Sequence, residues 1–331
     1  LKSLRRLGFA WMLLMLAPRA FAATPCDSGL ALGDLDPLHG AAALELCDLA
    51  TEESPGIVSA SYGPIDFATA FDQLSNAALG VGLLDGFGPN VSPRRGARML
   101  ALSSGTARAP DDPNYGSPSG FDKGYTSSYP PGLPYEIPAC PGMPTEQPHD
   151  SVALRLTLRA PASAHSFSFR SKFHTYDYPS FICSSYNDWF VVLLDPAPAS
   201  GPNIVFDAVG NPVTVNSKSL IQICEAQPTG LGLYDCISTA ELIGTGFDEQ
   251  AATPWLYTEA PIEPGGTITL TFGIFDAGDG VLDSTVLLDD FRWSARVVAS
   301  PATSAPEPSA TAIAATALAA LAARRRIAQI R

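Results

Sequence analysis

Histidine, cysteine and positive charge are all scarce in this chain, and each scarcity removes a class of function. Four histidines and six cysteines are spread over 331 residues, and no two cysteines form a C-x-x-C pair. Zinc held by closely spaced thiolates is therefore the weaker reading of the cysteines. H-E-x-x-H is missing, and so are a phosphate-cradling glycine loop and a dinucleotide fingerprint. Residues 116–120 read GSPSG, with Pro118 standing where the nucleophile of a G-x-S-x-G elbow would be. Lysine and arginine number 20 against 33 acids, a formal charge of −13. Such a surface repels nucleic acid and anionic lipid, and attracts divalent cations and basic partners.

What positive charge there is gathers at the two ends. Lys2, Arg5 and Arg6 precede an apolar run, Leu7 to Leu16, and Ala20-Phe21-Ala22 makes an A-x-A site. Together these predict a secretory signal peptide over residues 1–22, cut after Ala22. At the other end Pro306-Glu307-Pro308 is followed by an uncharged, alanine-rich run and then Arg324, Arg325 and Arg326. Proline holds the tripeptide extended, and the arginines prefer the cytoplasmic side of a membrane. The run Ser309–Ala323 has fifteen residues. As a helix it spans about 22 Å against a hydrocarbon core of about 30 Å, which suits a transient hold on the inner membrane. With eight of the 20 bases in residues 1–22 and 309–331, the part between sets 12 bases against all 33 acids, a formal charge of −21.

The order of proline-flanked acid, apolar helix and arginines resembles the PEP-CTERM sorting signal of Gram-negative bacteria. That resemblance implies an exosortase-type enzyme that recognises Pro306-Glu307-Pro308, cuts nearby and passes the protein to the cell surface. A simple tail anchor is the alternative. In an exported chain the six cysteines imply disulfides. Of the many pairings that six allow, proximity favours Cys26–Cys47 and Cys224–Cys236, which leaves Cys140–Cys183.

Between the ends, organisation is read from periodicity. Asp36 is a good N-cap and Pro37 suits a first helical turn, so a short helix is expected through Cys47, with Leu38, Ala41, Ala42 and Leu46 facing inward. Strands are expected at Gly56–Tyr62 and Arg98–Ser103, with short helix and loop over 65–90. Leu154, Leu156 and Leu158 alternate with Arg155, Thr157 and Arg159; Phe167 and Phe169 alternate with serines. Ile268, Leu270, Phe272 and Ile274 alternate with Thr267, Thr269, Thr271 and Gly273. This period of two marks antiparallel strands with one dry face. Trp189–Asp195 is more continuously apolar and reads as a central strand. Val205-Phe206 and Val213–Val215 flank Gly210-Asn211 as a hairpin, and Val286–Val298 closes the domain. Residues 109–150 form a long loop pinned by Cys140, and 217–250 an excursion tied by Cys224 and Cys236. The fold class that follows is mainly β: an antiparallel, jelly-roll-like β-sandwich with a short N-terminal helix and a C-terminal hydrophobic helix. The expected divisions are 1–22, a single domain over 23–299, a proline-rich linker over 300–308 and the sorting helix with its basic tail over 309–331.

Over roughly residues 34–295 the body resembles the choice-of-anchor L domain. The similarity is carried by the helix followed by GIVSASY, then LALSSGTAR, YPSFICSSYNDWFVVLL and FDAGDGVLDSTVLLDDFRW. It implies a surface location with an interchangeable C-terminal anchor, and no reaction.

One constellation suggests a ligand. Asp276, Asp279 and Asp283 follow directly on a strand and bracket two glycines, and Asp188, Asp289 and Asp290 could approach across the sandwich. Oxygen donors crowded on a glycine turn suit Ca²⁺, so Asp188, Asp276, Asp279, Asp283 and Asp290 are candidate ligands. The spacing is not that of an EF-hand. The plain alternative is a turn at Gly278-Asp279-Gly280 capped by its acids. Two further pointers are weaker. His174 stands near Asp177, and 33 acids allow a glycosidase carboxylate pair to be drawn in too many ways to select one. The loop aromatics Tyr115, Phe121, Tyr125, Tyr129 and Tyr135 could stack on sugars or pack the loop. The expected role is thus a structural or adhesive one at the cell surface or in an extracellular polysaccharide matrix, without catalysis and with no obligatory cofactor. A calcium-dependent carbohydrate-binding module and a secreted glycan hydrolase are the alternatives.

Overall fold

The structure, a computed structural model, describes residues 24–207, 210–216, 223–224 and 240–304. The predicted signal peptide, the Cys224–Cys236 pair through Cys236, and the sorting signal with its helix all lie outside the described residues.

A short α-helix, α1 (Pro37–Ala42), opens the described fold. Asp36 caps it, its carboxylate accepting from the Leu38 N–H at 2.9 Å, and Pro37 occupies the first turn. The helix is shorter than expected. Glu45 adopts φ +70°, and the Leu46 N–H returns to the Ala41 carbonyl at 3.0 Å, so the chain turns away before Cys47. Ala41, Ala42 and Leu46 are buried as expected, whereas Leu38 is 37% exposed. At Gly40 a Cβ would lie 2.1 Å from the Tyr62 hydroxyl; glycine there lets the helix lie directly on the first strand.

Among the described residues twelve strands follow: β1 (Gly56–Gly63), β2 (Val81–Leu84), β3 (Met99–Ser103), β4 (Pro148–Arg159), β5 (Ser166–Thr175), β6 (Trp189–Asp195), β7 (Ile223–Cys224), β8 (Ala251–Ala252), β9 (Leu256–Pro261), β10 (Thr267–Ala277), β11 (Ser284–Ser294) and β12 (Ala302–Ser304). They form two antiparallel sheets. One has the order β1-β4-β10-β6; the other runs β12-β9-β5-β11-β3-β2, with β8 and then β7 joined to β5. From β4 to β6, and again from β9 to β11, successive strands alternate between the sheets, the cross-sheet winding of a jelly roll.

Alternation along the strands builds the layer between the sheets. Leu154, Leu156, Leu158, Leu270, Phe272, Phe190 and Val192 come from one sheet, and Leu100, Leu102, Phe167, Phe169, Val286 and Leu288 from the other. Phe169 meets Phe272 edge to face at 5.3 Å. The opposite faces are drier than the alternation suggests. Leu133, Ile137 and Cys140 of the long loop cover Ala153, Trp189, Val191 and Phe275 on one outer face. On the other, Phe87, Val91, Leu242, Phe247 and Trp255 cover Leu84, Met99, Ala101 and Leu287. This explains the unbroken apolar run of β6, which is buried on both sides.

Several connections differ from expectation. β2 and β9 sit in stretches without a clear period of two, and β12 falls within the predicted linker. Its Thr303 hydroxyl accepts from the Phe206 N–H at 3.2 Å and lies 3.0 Å from the Thr258 hydroxyl. The expected hairpin is reduced to single bridges, Phe206 with Pro212 and Trp189 with Thr214. Cys26–Cys47 and Cys140–Cys183 are bonded as expected, with Cα separations of 6.0 and 5.3 Å. The second staples the long loop to the β5–β6 connection across 43 residues, a constraint on the unfolded chain of about 3–4 kcal/mol.

Truncating Phe272 to alanine removes the centre of the inter-sheet layer. The expected cost is about 3–5 kcal/mol, read as a lower urea midpoint with an unchanged slope.

Candidate functional site: a buried carboxylate cluster

Antiparallel order brings the start of β4, β6 and β11 and the end of β3, β5 and β10 to one end of the sandwich. Each of these ends carries polar residues: Asp150 near the start of β4, Asp177 just after β5, Asp188 just before β6, Asp276 near the end of β10 and Asp283 just before β11. All five are buried. Asp150 reaches the group through a β-bulge. The β4–β10 register slips between Ile274 and Asp276, and Asp150 takes φ +50°, which re-aims its side chain.

Backbone hydrogen bonds lock the surrounding segments. Asp283 donates its N–H to the Pro118 carbonyl at 2.8 Å and accepts from the Tyr176 N–H at 3.1 Å. At Gly105 a Cβ would fall 2.1 Å from a carboxylate oxygen of Asp283, so only glycine lets the backbone approach that carboxylate. A Cβ on Gly280 would come within 2.9 Å of oxygens of both Asp122 and Asp150, which places those two carboxylates on either side of it.

Among the described residues, one cation enters the group. Lys123 is buried, and its ammonium donates to the Ser103 and Asp150 carbonyls at 2.8 and 3.0 Å. The Asp150 carboxylate accepts from the N–H groups of Lys123 and Tyr125, at 2.6 and 3.1 Å. The Asp188 carboxylate accepts from the Ser284 hydroxyl and lies beside the carboxyl groups of both Asp177 and Asp276. Two carboxyl groups can bond each other only when one keeps a proton. Ser104, beside Asp276, directs its hydroxyl to the Ser284 carbonyl at 3.2 Å. Among the described residues, none of the four carboxylate oxygens of Asp276 and Asp283 accepts a well-formed hydrogen bond.

Such burial disfavours charge. It drives the carboxyls of Asp188, Asp276 and Asp283 well above the ordinary range, and neighbouring acids add to the effect: Asp177 for Asp188, Asp188 for Asp276, and Asp276 for Asp283. Asp177 is pushed up to about 8, first by burial and then by Asp276. Burial pushes Lys123 down to about 8 against the pull of Asp150, Asp283 and Asp276.

Of the residues singled out in the sequence, Asp188, Asp276 and Asp283 meet here. Asp279 stays at the rim, where it is partly exposed and caps the turn by accepting from the Val281 N–H at 3.2 Å. Asp290 does not belong to the group. It lies seven residues further along β11 from Asp283, roughly 20 Å away by strand geometry, ion-paired with Arg292, Arg170 and Arg95 at 2.6, 3.2 and 3.9 Å. Asp289 accepts the N–H groups of Arg94 and Arg95 instead. His174 does not pair with Asp177; its ring packs on Phe87 and Phe247, at 5.1 and 5.6 Å, and neither nitrogen has a hydrogen-bond partner. Asp150 and Lys123 had no sequence signal beyond being polar residues in or next to a loop.

The loop aromatics mostly pack. Tyr125 donates to the Ser151 carbonyl at 2.7 Å, and Tyr129 presents its ring to the edges of Trp189 and Phe275. Tyr135 alone of the five is largely exposed, at 62%, stacked on Tyr129 at 4.5 Å.

Among the described residues, no three His, Cys, Asp or Glu side chains stand as placed so that one metal ion could be held by all of them. No helix of the described residues is long and apolar enough to cross a membrane. No protein-family model matches the chain, and no curated protein matches it.

A pH titration in metal-free buffer reads the cluster directly. In the unfolded chain Asp177 loses its proton near 3.8, whereas the native fold holds it to about 8. The native state thus binds more protons across that window, so stability present at acidic pH is lost as pH rises through it. The slope is up to about 1.4 kcal/mol per pH unit for each such group, measured as urea midpoints at stepped pH.

Proposed function

We propose that this chain is an exported protein of the cell surface or extracellular matrix, with a structural or adhesive role and no catalytic step. The observation that carries the reading is the pair of disulfides, Cys26–Cys47 and Cys140–Cys183, since such bonds persist in oxidising compartments. The basic and apolar start, the A-x-A site and the Pro-Glu-Pro-to-arginine tail support it independently, as does the resemblance to choice-of-anchor L domains. In this reading an exosortase-type enzyme recognises Pro306-Glu307-Pro308 while the apolar run holds the inner membrane. The mature, acidic domain then faces an extracellular polysaccharide or a neighbouring cell, and nucleic acid is not a partner. In this reading the exposed ring of Tyr135 would meet a sugar.

Expression of the full chain in a Gram-negative host with a matching sorting enzyme tests this. Intact-mass analysis of the exported material should begin at Ala23, end near Pro308 and show no free thiol. Recovery of the chain inside the cell, with residues 1–22 attached and its cysteines reduced, would sink the reading.

A further inference from the structure

We propose that the carboxylates of Asp177, Asp188, Asp276 and Asp283 bind one hard divalent cation, of the calcium class, at the end of the sandwich. The inference rests on the geometry of the cluster and stands whether or not the export reading holds.

Three observations lead to it. The first is the set of orphaned acceptors. Asp276 and Asp283 are buried, at 1% and 0% exposure, and none of their four carboxylate oxygens receives a hydrogen bond. Buried carboxylates are normally hydrogen-bonded, paired or metal-bound. The second is charge. Among the described residues Lys123 is the one lysine or arginine whose side chain enters the group, and its ammonium is engaged by the carbonyls of Ser103 and Asp150. A single ammonium cannot neutralise Asp150 together with four further carboxylates. The third is donor chemistry. Every candidate ligand is an oxygen, and neither imidazole nor thiolate takes part, which selects calcium or magnesium over zinc or copper.

As placed, the carboxylates stop short of a common point. Little opposes their closing. Rotating the carboxyl group of Asp283 breaks no hydrogen bond, and Asp188 would exchange its bond from Ser284 and its contacts with Asp177 and Asp276 for the ion. The backbone around them is held by the Asp283–Pro118, Tyr176–Asp283 and Gly278–Gln147 bonds, so the adjustment falls on side chains. Donors drawn from four separate points of the chain suit the flexible coordination of calcium, about six to eight oxygens at roughly 2.3–2.6 Å, better than the strict octahedron of magnesium. Water and nearby carbonyls would complete the shell. The consequence is mechanical: one ion would tie the turn after β5, the start of β6, the end of β10 and the start of β11.

The test uses the full chain, stripped with EDTA and then freed of it, and titrated with calcium chloride by calorimetry and by thermal unfolding. The expected result is saturable binding of one ion per chain and a Tm that climbs with each tenfold increase in free calcium, with a smaller climb for magnesium. Asp276→Asn and Asp283→Asn should abolish the climb, while Asp279→Asn should keep it. Should the cluster variants fail to fold, terbium binding to the wild-type chain decides. Its emission, excited through Tyr186 and Trp189 beside Asp188, should appear and be displaced by calcium. Absence of both heat and terbium emission, or a Tm climb unchanged in Asp276→Asn and Asp283→Asn, would overturn the proposal.

Discussion

The contact between the two sheets, centred on Phe169 and Phe272, sets the position of nearly everything else. Once Leu154, Leu156, Leu158 and Phe272 commit one face of their sheet to the interior, the register of each strand is fixed, because a slip by one residue would turn that face outward. With the registers fixed, the strand ends reach the same level. The polar residues that terminate β3, β5 and β10 and begin β4, β6 and β11 are then forced together. The carboxylate cluster is thus a by-product of hydrophobic packing in its location, though not in its composition. Nothing in packing requires that so many of these terminal residues be aspartate.

Strands are legible in the sequence either by alternation or, for β3 and β6, which are buried on both faces, as short continuous apolar runs. β4, β5 and β10 alternate because their inner side faces the core. β2 and β9 escaped notice because both of their faces are largely buried or their runs are short, so the pattern that marks a half-wet strand is absent. The outer coverings were illegible for a related reason. The long loop looked like surface from its prolines and glycines, yet Leu133 and Ile137 of that loop close over Trp189 and Phe275. Isolated apolar residues in a loop have no period to reveal which sheet they cover.

The cluster was half legible. Asp276, Asp279 and Asp283 stood out by their spacing, and Asp188 by its place before an apolar strand. Spacing could not tell that Asp279 would turn outward to cap the Gly278–Gly280 turn, nor that Asp290, one residue from Asp289, would be taken by arginines at the far end of β11. Asp150 joins through a bulge, and a bulge leaves no mark in composition. Asp177 was noticed only beside His174. The structure separates them, sending the histidine under Phe87 and Phe247 and the aspartate to Asp188.

The short strand β12 bears on how force would enter the molecule. Its three residues run antiparallel to β9, Ala302 opposite Glu259 and Ser304 opposite Tyr257. A tug transmitted from that side and directed along the strand would load the rungs sideways, all at once, instead of opening them one after another. Thr303, bonded to Phe206 and lying beside Thr258, adds a lateral catch. Under such a pull the edge of the larger sheet would be the first part of the domain to feel strain, and the core between Phe169 and Phe272 the last.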